Sequence, residues 1–155
     1  MDFYTPPVIP MSSPDLTDAE RQAVMNVLDT PFLSMGPQIA AFEKAFCDFT
    51  GSSHAIAVNS GTSGLHLCVR AAGIEEGDLV ITSPFSFVAS TNAIMFEKAA
   101  PVFVDVDPQT GNLDPQKVQE AAHDLSKGGA AAQRWLPRKG LRNGGRLKAI
   151  LAVDV

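Results

Sequence analysis

The most informative run for chemistry is Asn59-Ser60-Gly61-Thr62-Ser63-Gly64. It lies between a short apolar run, Ala55-Ile56-Ala57-Val58, that reads as a buried strand, and a helical spacing that begins at Leu65. A helix start offers N–H groups with no intrahelical acceptor and the positive end of the helix dipole. Gly61 lets the backbone approach an anion, and the hydroxyls of Ser60, Thr62 and Ser63 add donors, so the chemistry would be phosphate binding. The same residue types are ordinary helix caps, and the turn by itself leaves a purely structural reading open. The chain contains neither GxxxxGK[ST] nor GxGxxG, which removes the usual support for a nucleoside-triphosphate loop or a dinucleotide site.

A second polar and aromatic stretch, Ile81-Thr82-Ser83-Pro84-Phe85-Ser86-Phe87-Val88-Ala89-Ser90, follows a predicted strand. In open α/β sheets ligands bind beyond the carboxyl ends of strands, and a ring exposed there stacks on a flat cofactor. An aromatic residue after a strand is also a common core residue. Its interest comes from standing one strand–helix unit after the phosphate-type turn. His54, His66 and His123 show no metal-ligand spacing, and Cys47 and Cys68, far apart in helix-like patterns, read as core residues with no disulfide or zinc site.

These stretches need elements to hold them. Pro6, Pro7, Pro10 and Pro14 make an extended arm of the segment from Asp2 to Pro14. A helix starts at Thr17, with Glu20 completing a capping box, and stops near Asp29 to Pro31. A second opens at Pro37 and closes at Gly51, its Ile39, Phe42, Phe46 and Phe49 forming a face expected to be buried. Strands are expected at 55–58, at Leu79-Val80-Ile81, at 102–106 and at 149–153. Helices are expected from Leu65 to Ala72, from Val88 to Lys98, and from the Asp114-Pro115 cap toward Ala122. The alternation predicts an α/β architecture with a mainly parallel sheet.

Ser126 to Arg146 breaks this rhythm. It holds five glycines and six basic residues, Lys127, Arg134, Arg138, Lys139, Arg142 and Arg146, and no acid. It reads as an inserted loop; contact with a nucleotide diphosphate is one possibility, a solvated insertion the simpler one. The chain ends at Val155 inside an apolar strand with no turn or cap, for which truncation is the simplest account, and an uncovered sheet is expected to aggregate. A formal net charge of -5, a pI near 5.0, and 45% hydrophobic against 19% charged residues describe an ordinary globular chain. That balance argues against a nucleic-acid partner, which would need clustered Lys and Arg. No apolar run is long enough for a signal peptide or membrane span, so the expected compartment is the cytoplasm.

Gly36-Pro37 with Phe42-Glu43, then Asn59 to Leu67, then Gly77-Asp78-Leu79-Val80-Ile81-Thr82, Phe87-Val88-Ala89-Ser90 with Asn92, and Pro101 to Asp107 follow one another in a specific order. In that order and spacing the sequence resembles the DegT/DnrJ/EryC1/StrS family, from about Ile9 to the end apart from the basic stretch. The resemblance implies a fold-type I pyridoxal-phosphate transferase large domain, three-layered and truncated. Residues 1–35 would be an N-terminal arm and helix, and 36–155 the amino-terminal part of that domain, with the insertion at about 126–146. The implied enzyme is a homodimer that moves an amino group, typically from glutamate, to a keto-sugar on a nucleotide, in amino-sugar and polysaccharide biosynthesis. By the same resemblance Gly61, Thr62 and Ser63 hold the cofactor phosphate, Phe87 lies against the pyridine ring, and Ser34, Met35 and Gly36 face the substrate. The Schiff-base lysine and the acidic partner of the pyridine nitrogen belong to sequence beyond Val155. Asp154 is therefore given no catalytic role, and this chain alone is expected to be inactive. A sugar dehydratase of the same family, with histidine in place of that lysine, and a non-catalytic phosphate-binding or partner-binding remnant are the alternatives.

Overall fold

The computed structural model describes residues 9–10, 12–137 and 145–154. Most of the expected proline arm, the basic residues Arg138, Lys139 and Arg142, and Val155 lie outside the described residues. The chain divides into two compact units, Met1–Ala57 and Val58–Val155.

The first unit carries α1 (Asp18–Leu28) and α2 (Pro37–Thr50). Thr17 caps α1 as expected: its hydroxyl accepts from Ala19 N at 3.2 Å, and its own N–H donates to Glu20 Oε2 at 2.6 Å. Pro37 opens α2, and Gly51 ends it in the left-handed conformation at φ 73°, which an L side chain resists. The expected burial of the α2 apolar face is not found. Neither helix has a buried residue, and Phe42, Phe46 and Phe49 are exposed, Phe49 to 90%. Helical periodicity shows that a helix has an apolar face; it does not provide the surface that meets it. The strand expected at 55–58 is also absent. Ile56 is 80% exposed, and the Ala57 N–H donates to Glu43 Oε1 at 2.8 Å instead of to a neighbouring strand. An apolar run favours extended backbone, but a strand exists only when paired.

The second unit is a three-layer α/β arrangement. β1 (Leu79–Thr82), β2 (Ala100–Phe103) and β3 (Leu147–Ile150) form a parallel sheet in the order β2-β1-β3. All four residues of β1 are buried, as its central place and continuous apolar sequence require. Val80 points to one face, where it meets Val69 and Leu65 of α3 (Gly61–Ala71) and Ala93 and Ile94 of α4 (Ala89–Phe96). Leu79 and Ile81 point to the other, against Val102, Val104 and Ala121 of α5 (Pro115–Lys127). Between Leu147 and Ala149 the register slips by one residue. This bulge at Lys148 swaps the faces, so Leu147 packs on the α5 side while Ala149 and Leu151 pack on the α3–α4 side.

Several expected elements shift. The strand expected over 102–106 runs from Ala100 to Phe103, because Val106 instead bridges antiparallel to Leu113 and Asp107 folds the chain by accepting from Gln109 N at 2.7 Å. β3 starts at Leu147 and ends at Ile150. Asp114 caps α5 as expected, accepting from Gln116 N and Lys117 N. That helix continues to Lys127, and a short α6 (Gly129–Gln133) follows within the stretch read as a loop. Trp135 and Leu136 pack against the α5-side core, and Asp124 accepts from Trp135 Nε1 at 2.9 Å and Arg134 Nε at 3.0 Å. Basic and glycine composition hid this anchor because its apolar members are only two. Cys68 is exposed and Cys47 half-buried, so neither is the core residue expected. Among the described residues no helix is long and apolar enough to cross a membrane.

Candidate functional site

The second unit has a cleft of about 790 Å³ at the carboxyl end of β1. Gly61, Thr62 and Leu65 of α3 line it, with Pro84 to Phe87 from the loop after β1, Ala89 and Ser90 at the start of α4, and Val153 and Asp154 beyond β3. Its size is that of a small-molecule site, and its place is the ligand end of an open α/β sheet.

The α3 start is built by its own sequence. Ser60 caps the helix, its Oγ accepting from Ser63 N at 3.1 Å, and Gly64 N donates to Ser60 O at 3.1 Å. The N–H groups of Gly61 and Thr62 are left without a helical acceptor. A methyl group at Gly61 would meet no protein atom within 4 Å, so the space at its Cβ position is open. The Ser63 hydroxyl donates to Asn59 Oδ1 at 2.7 Å, and Ser63 is not among the lining residues. Its groups shape the turn.

Across the cleft stands Phe87, 78% exposed. Two buried hydroxyls order the loop that carries it: Thr82 Oγ1 donates to Leu151 O at 3.0 Å, and Ser83 Oγ accepts from Phe85 N at 3.0 Å. The Thr82 bond joins the end of β1 to the chain leaving β3, which brings Val153 and Asp154 into the lining. Asp154 Oδ1 accepts from Asn112 Nδ2 at 3.2 Å. Asp154 is the one ionisable side chain in the described lining, which otherwise presents a helix start, hydroxyls and the Phe85 and Phe87 rings, and no amine. Among the described residues no group of three or more His, Cys, Asp or Glu is placed to hold a metal.

Gly61, Thr62 and Phe87 are thus brought together. Ser34, Met35 and Gly36 belong to the first unit, in the turn before α2. Met35 has a positive φ of 52°, and a Cβ at Gly36 would lie 2.7 Å from Phe32 O. Ser86, Ser90, Val153 and Asp154 line the cleft without having been read as site residues. For the two serines the signal was present in the 81–90 stretch, while for Val153 and Asp154 only the sheet pairing reveals it.

A sequence model described as the DegT/DnrJ/EryC1/StrS aminotransferase family matches residues 14–132. The chain is 44% identical over 119 residues to the spore coat polysaccharide biosynthesis protein SpsC of Bacillus subtilis, covering 77% of this chain and 31% of that protein. It is 45% identical over 114 residues to GDP-perosamine synthase of Caulobacter vibrioides, covering 73% and 31%. Among solved structures, a DegT DnrJ EryC1 StrS aminotransferase from Brucella abortus superposes with a TM-score of 0.74 at 29% identity, covering 89% of this chain and 33% of that one. E. coli GDP-4-keto-6-deoxy-D-mannose-3-dehydratase with bound hydrated PLP superposes with a TM-score of 0.68 at 28% identity, covering 72% and 30%. The chain spans about 31% of the length of the curated relatives it matches.

Proposed function

Because this chain belongs to the DegT/DnrJ/EryC1/StrS aminotransferase family, we propose that its cleft is the phosphate-and-ring portion of a pyridoxal 5'-phosphate site. The whole protein then moves an amino group, with glutamate as donor, to a keto-sugar carried on a nucleotide. The observation that carries this reading is the meeting of Gly61, Thr62 and Phe87 in one cleft.

The residues fit the group. With no side chain at Gly61 and open space at its Cβ position, a phosphate would meet the Gly61 and Thr62 N–H groups at the helix start, where the dipole favours an anion. The Thr62 hydroxyl supplies a further donor, Ser63 fixes the turn from within, and the exposed Phe87 ring presents a face to a flat heterocycle. Leu65, Pro84 and Ala89 give the cleft apolar walls. When bound, the coenzyme supplies the electron sink for amino transfer, and the protein supplies grip and orientation. No described lysine lines the cleft, so we assign the amine nucleophile to residues outside this chain and expect the chain alone to be inactive. The names of the GDP-perosamine and spore coat relatives support a nucleotide-sugar substrate and a place in polysaccharide biosynthesis. We further propose a cytoplasmic homodimer, with Ser34, Met35 and Gly36 turned to the substrate.

The likeness to a GDP-keto-sugar dehydratase favours a second reading, loss of a sugar hydroxyl in place of gain of an amine. One assay separates them. The whole protein is incubated with pyridoxal 5'-phosphate, glutamate and a panel of nucleotide-linked keto-sugars that includes GDP-4-keto-6-deoxy-D-mannose, and products are read by mass spectrometry. An amino sugar with matching 2-oxoglutarate supports transamination; a deoxygenated sugar supports the dehydratase. No turnover of any sugar contradicts both.

A further inference from the structure

The buried polar residues among those described, Thr82, Ser83 and Ser90, all fall in the nine residues from the end of β1 to the first turn of α4. A buried hydroxyl must be hydrogen-bonded to be tolerated, so its partner shows what it holds in place. Thr82 and Ser83 hold the strand end and the Phe85 backbone, as described above. Ser90, only 5% exposed, holds something else: its Oγ lies 2.9 Å from Ser86 Oγ. The Ser86 hydroxyl in turn is 3.3 Å from the Phe87 carbonyl, to which it donates its single proton. That leaves Ser90 as donor to Ser86, and the chain of protons runs from Ser90 to Ser86 to Phe87 O. The same carbonyl accepts from the Ser90 N–H at 3.2 Å. Both of its lone pairs are therefore engaged by one pair of serines. α4 begins without a side-chain cap, its N-cap position being Val88, so this clamp takes the place of an ordinary helix start.

We infer that Ser86 and Ser90 are positioning residues that fix the Phe87 backbone, and so set the angle at which its exposed ring meets the ligand. The inference rests on the coenzyme reading of the cleft. An aromatic ring exposed to 78% has few side-chain neighbours to fix it, and the backbone is then the main restraint on where it points. A clamp on the carbonyl lowers the entropy lost when a planar ligand stacks.

The test is a set of dissociation constants for pyridoxamine 5'-phosphate, followed by its fluorescence in the full chain. Ser86 is half-buried, and Ser86→Ala removes the central link; because it also leaves the buried Ser90 hydroxyl without that partner, urea unfolding of the same preparation checks that the variant is folded. Ser86→Ala is expected to weaken binding about fivefold, the scale of one ordinary hydrogen bond, and Ser86→Thr, which keeps the hydroxyl, to restore it. In a Phe87→Ala background the Ser86→Ala change is expected to have no further effect, because the residue acts through the ring. Wild-type affinity in Ser86→Ala would overturn the inference while leaving the coenzyme reading intact. An undiminished loss in the Phe87→Ala background would overturn it as well, since Ser86 would then touch the ligand directly. Failure of the unaltered chain to bind the probe would remove the coenzyme reading and this inference together.

Discussion

At Gly61 a methyl group meets no protein atom within 4 Å, so the fold has room for a side chain there, and only the proposed phosphate site would exclude one. Gly61→Val is therefore expected to leave the unfolding free energy within about 0.5 kcal/mol of the original, as for other surface changes. Coenzyme affinity should fall at least about tenfold, because the side chain occupies the approach to two N–H groups. Urea unfolding and fluorescence titration of the same preparation measure both; parallel losses in stability and affinity would mean that Gly61 serves the fold. That Gly61, Thr62 and Phe87 would stand together was implied by the family resemblance; the local patterns, a turn before a helix and an aromatic after a strand, left structural readings open, and the strand expected before the turn is absent. Ser63 was legible as a hydroxyl in the turn, but its commitment to Asn59 depends on cap geometry. The Ser86–Ser90 pair was hidden for the same reason: two hydroxyls four residues apart meet only once the chain turns into α4.

Helix boundaries were the most readable elements, since Thr17, Pro37, Gly51 and Asp114 act within one turn of themselves. The strand expected at 55–58 and the loop expected at 126–146 depended on partners that periodicity does not contain. The second shows how an element is pinned. Hydrogen bonds from the Trp135 indole and the Arg134 guanidinium hold the Asp124 carboxyl below its ordinary pKa, and join the segment after α6 to α5. A lowered folded-state pKa means that this contribution is complete above roughly pH 4, the unfolded value. It is lost as pH falls through the lowered value. The fluorescence of Trp135, the sole tryptophan, should report release of the segment on acidification below pH 4. Asp124→Asn should weaken the segment at neutral pH and flatten that acid transition; an unchanged transition would place the titrating group elsewhere. β3 has its own pin. A Cβ at Gly145 would strike Gly77 O and come within 2.8 Å of Leu79 Cγ, so Gly145→Ala should cost about 1–3 kcal/mol or more by prising β3 from β1. Denaturant unfolding at native stability would show that the strand end gives way freely.

Across the chain, the α/β class and the parallel pairing followed from alternating apolar strands and amphipathic helices, and the three layers from the family resemblance. The strand order and the face swap at Lys148 did not, because both are set by contacts between residues nearly seventy positions apart. Apolar side chains remain exposed on both units, Phe42, Phe46 and Phe49 in the first and Phe103 and Ile150 in the second. Surfaces of this kind bind hydrophobic dyes and associate. Light scattering of the isolated chain is expected to show mass rising with concentration, and a strict monomer that excludes such dyes would contradict this. The central claim is that the α3 start holds a phosphate while Phe87 faces the attached heterocycle. A crystal structure of the whole protein with pyridoxamine 5'-phosphate tests it most directly. Phosphate oxygens are expected about 3 Å from the Gly61 and Thr62 nitrogens, with the ring against Phe87. A phosphate bound elsewhere, with that turn empty, would contradict it.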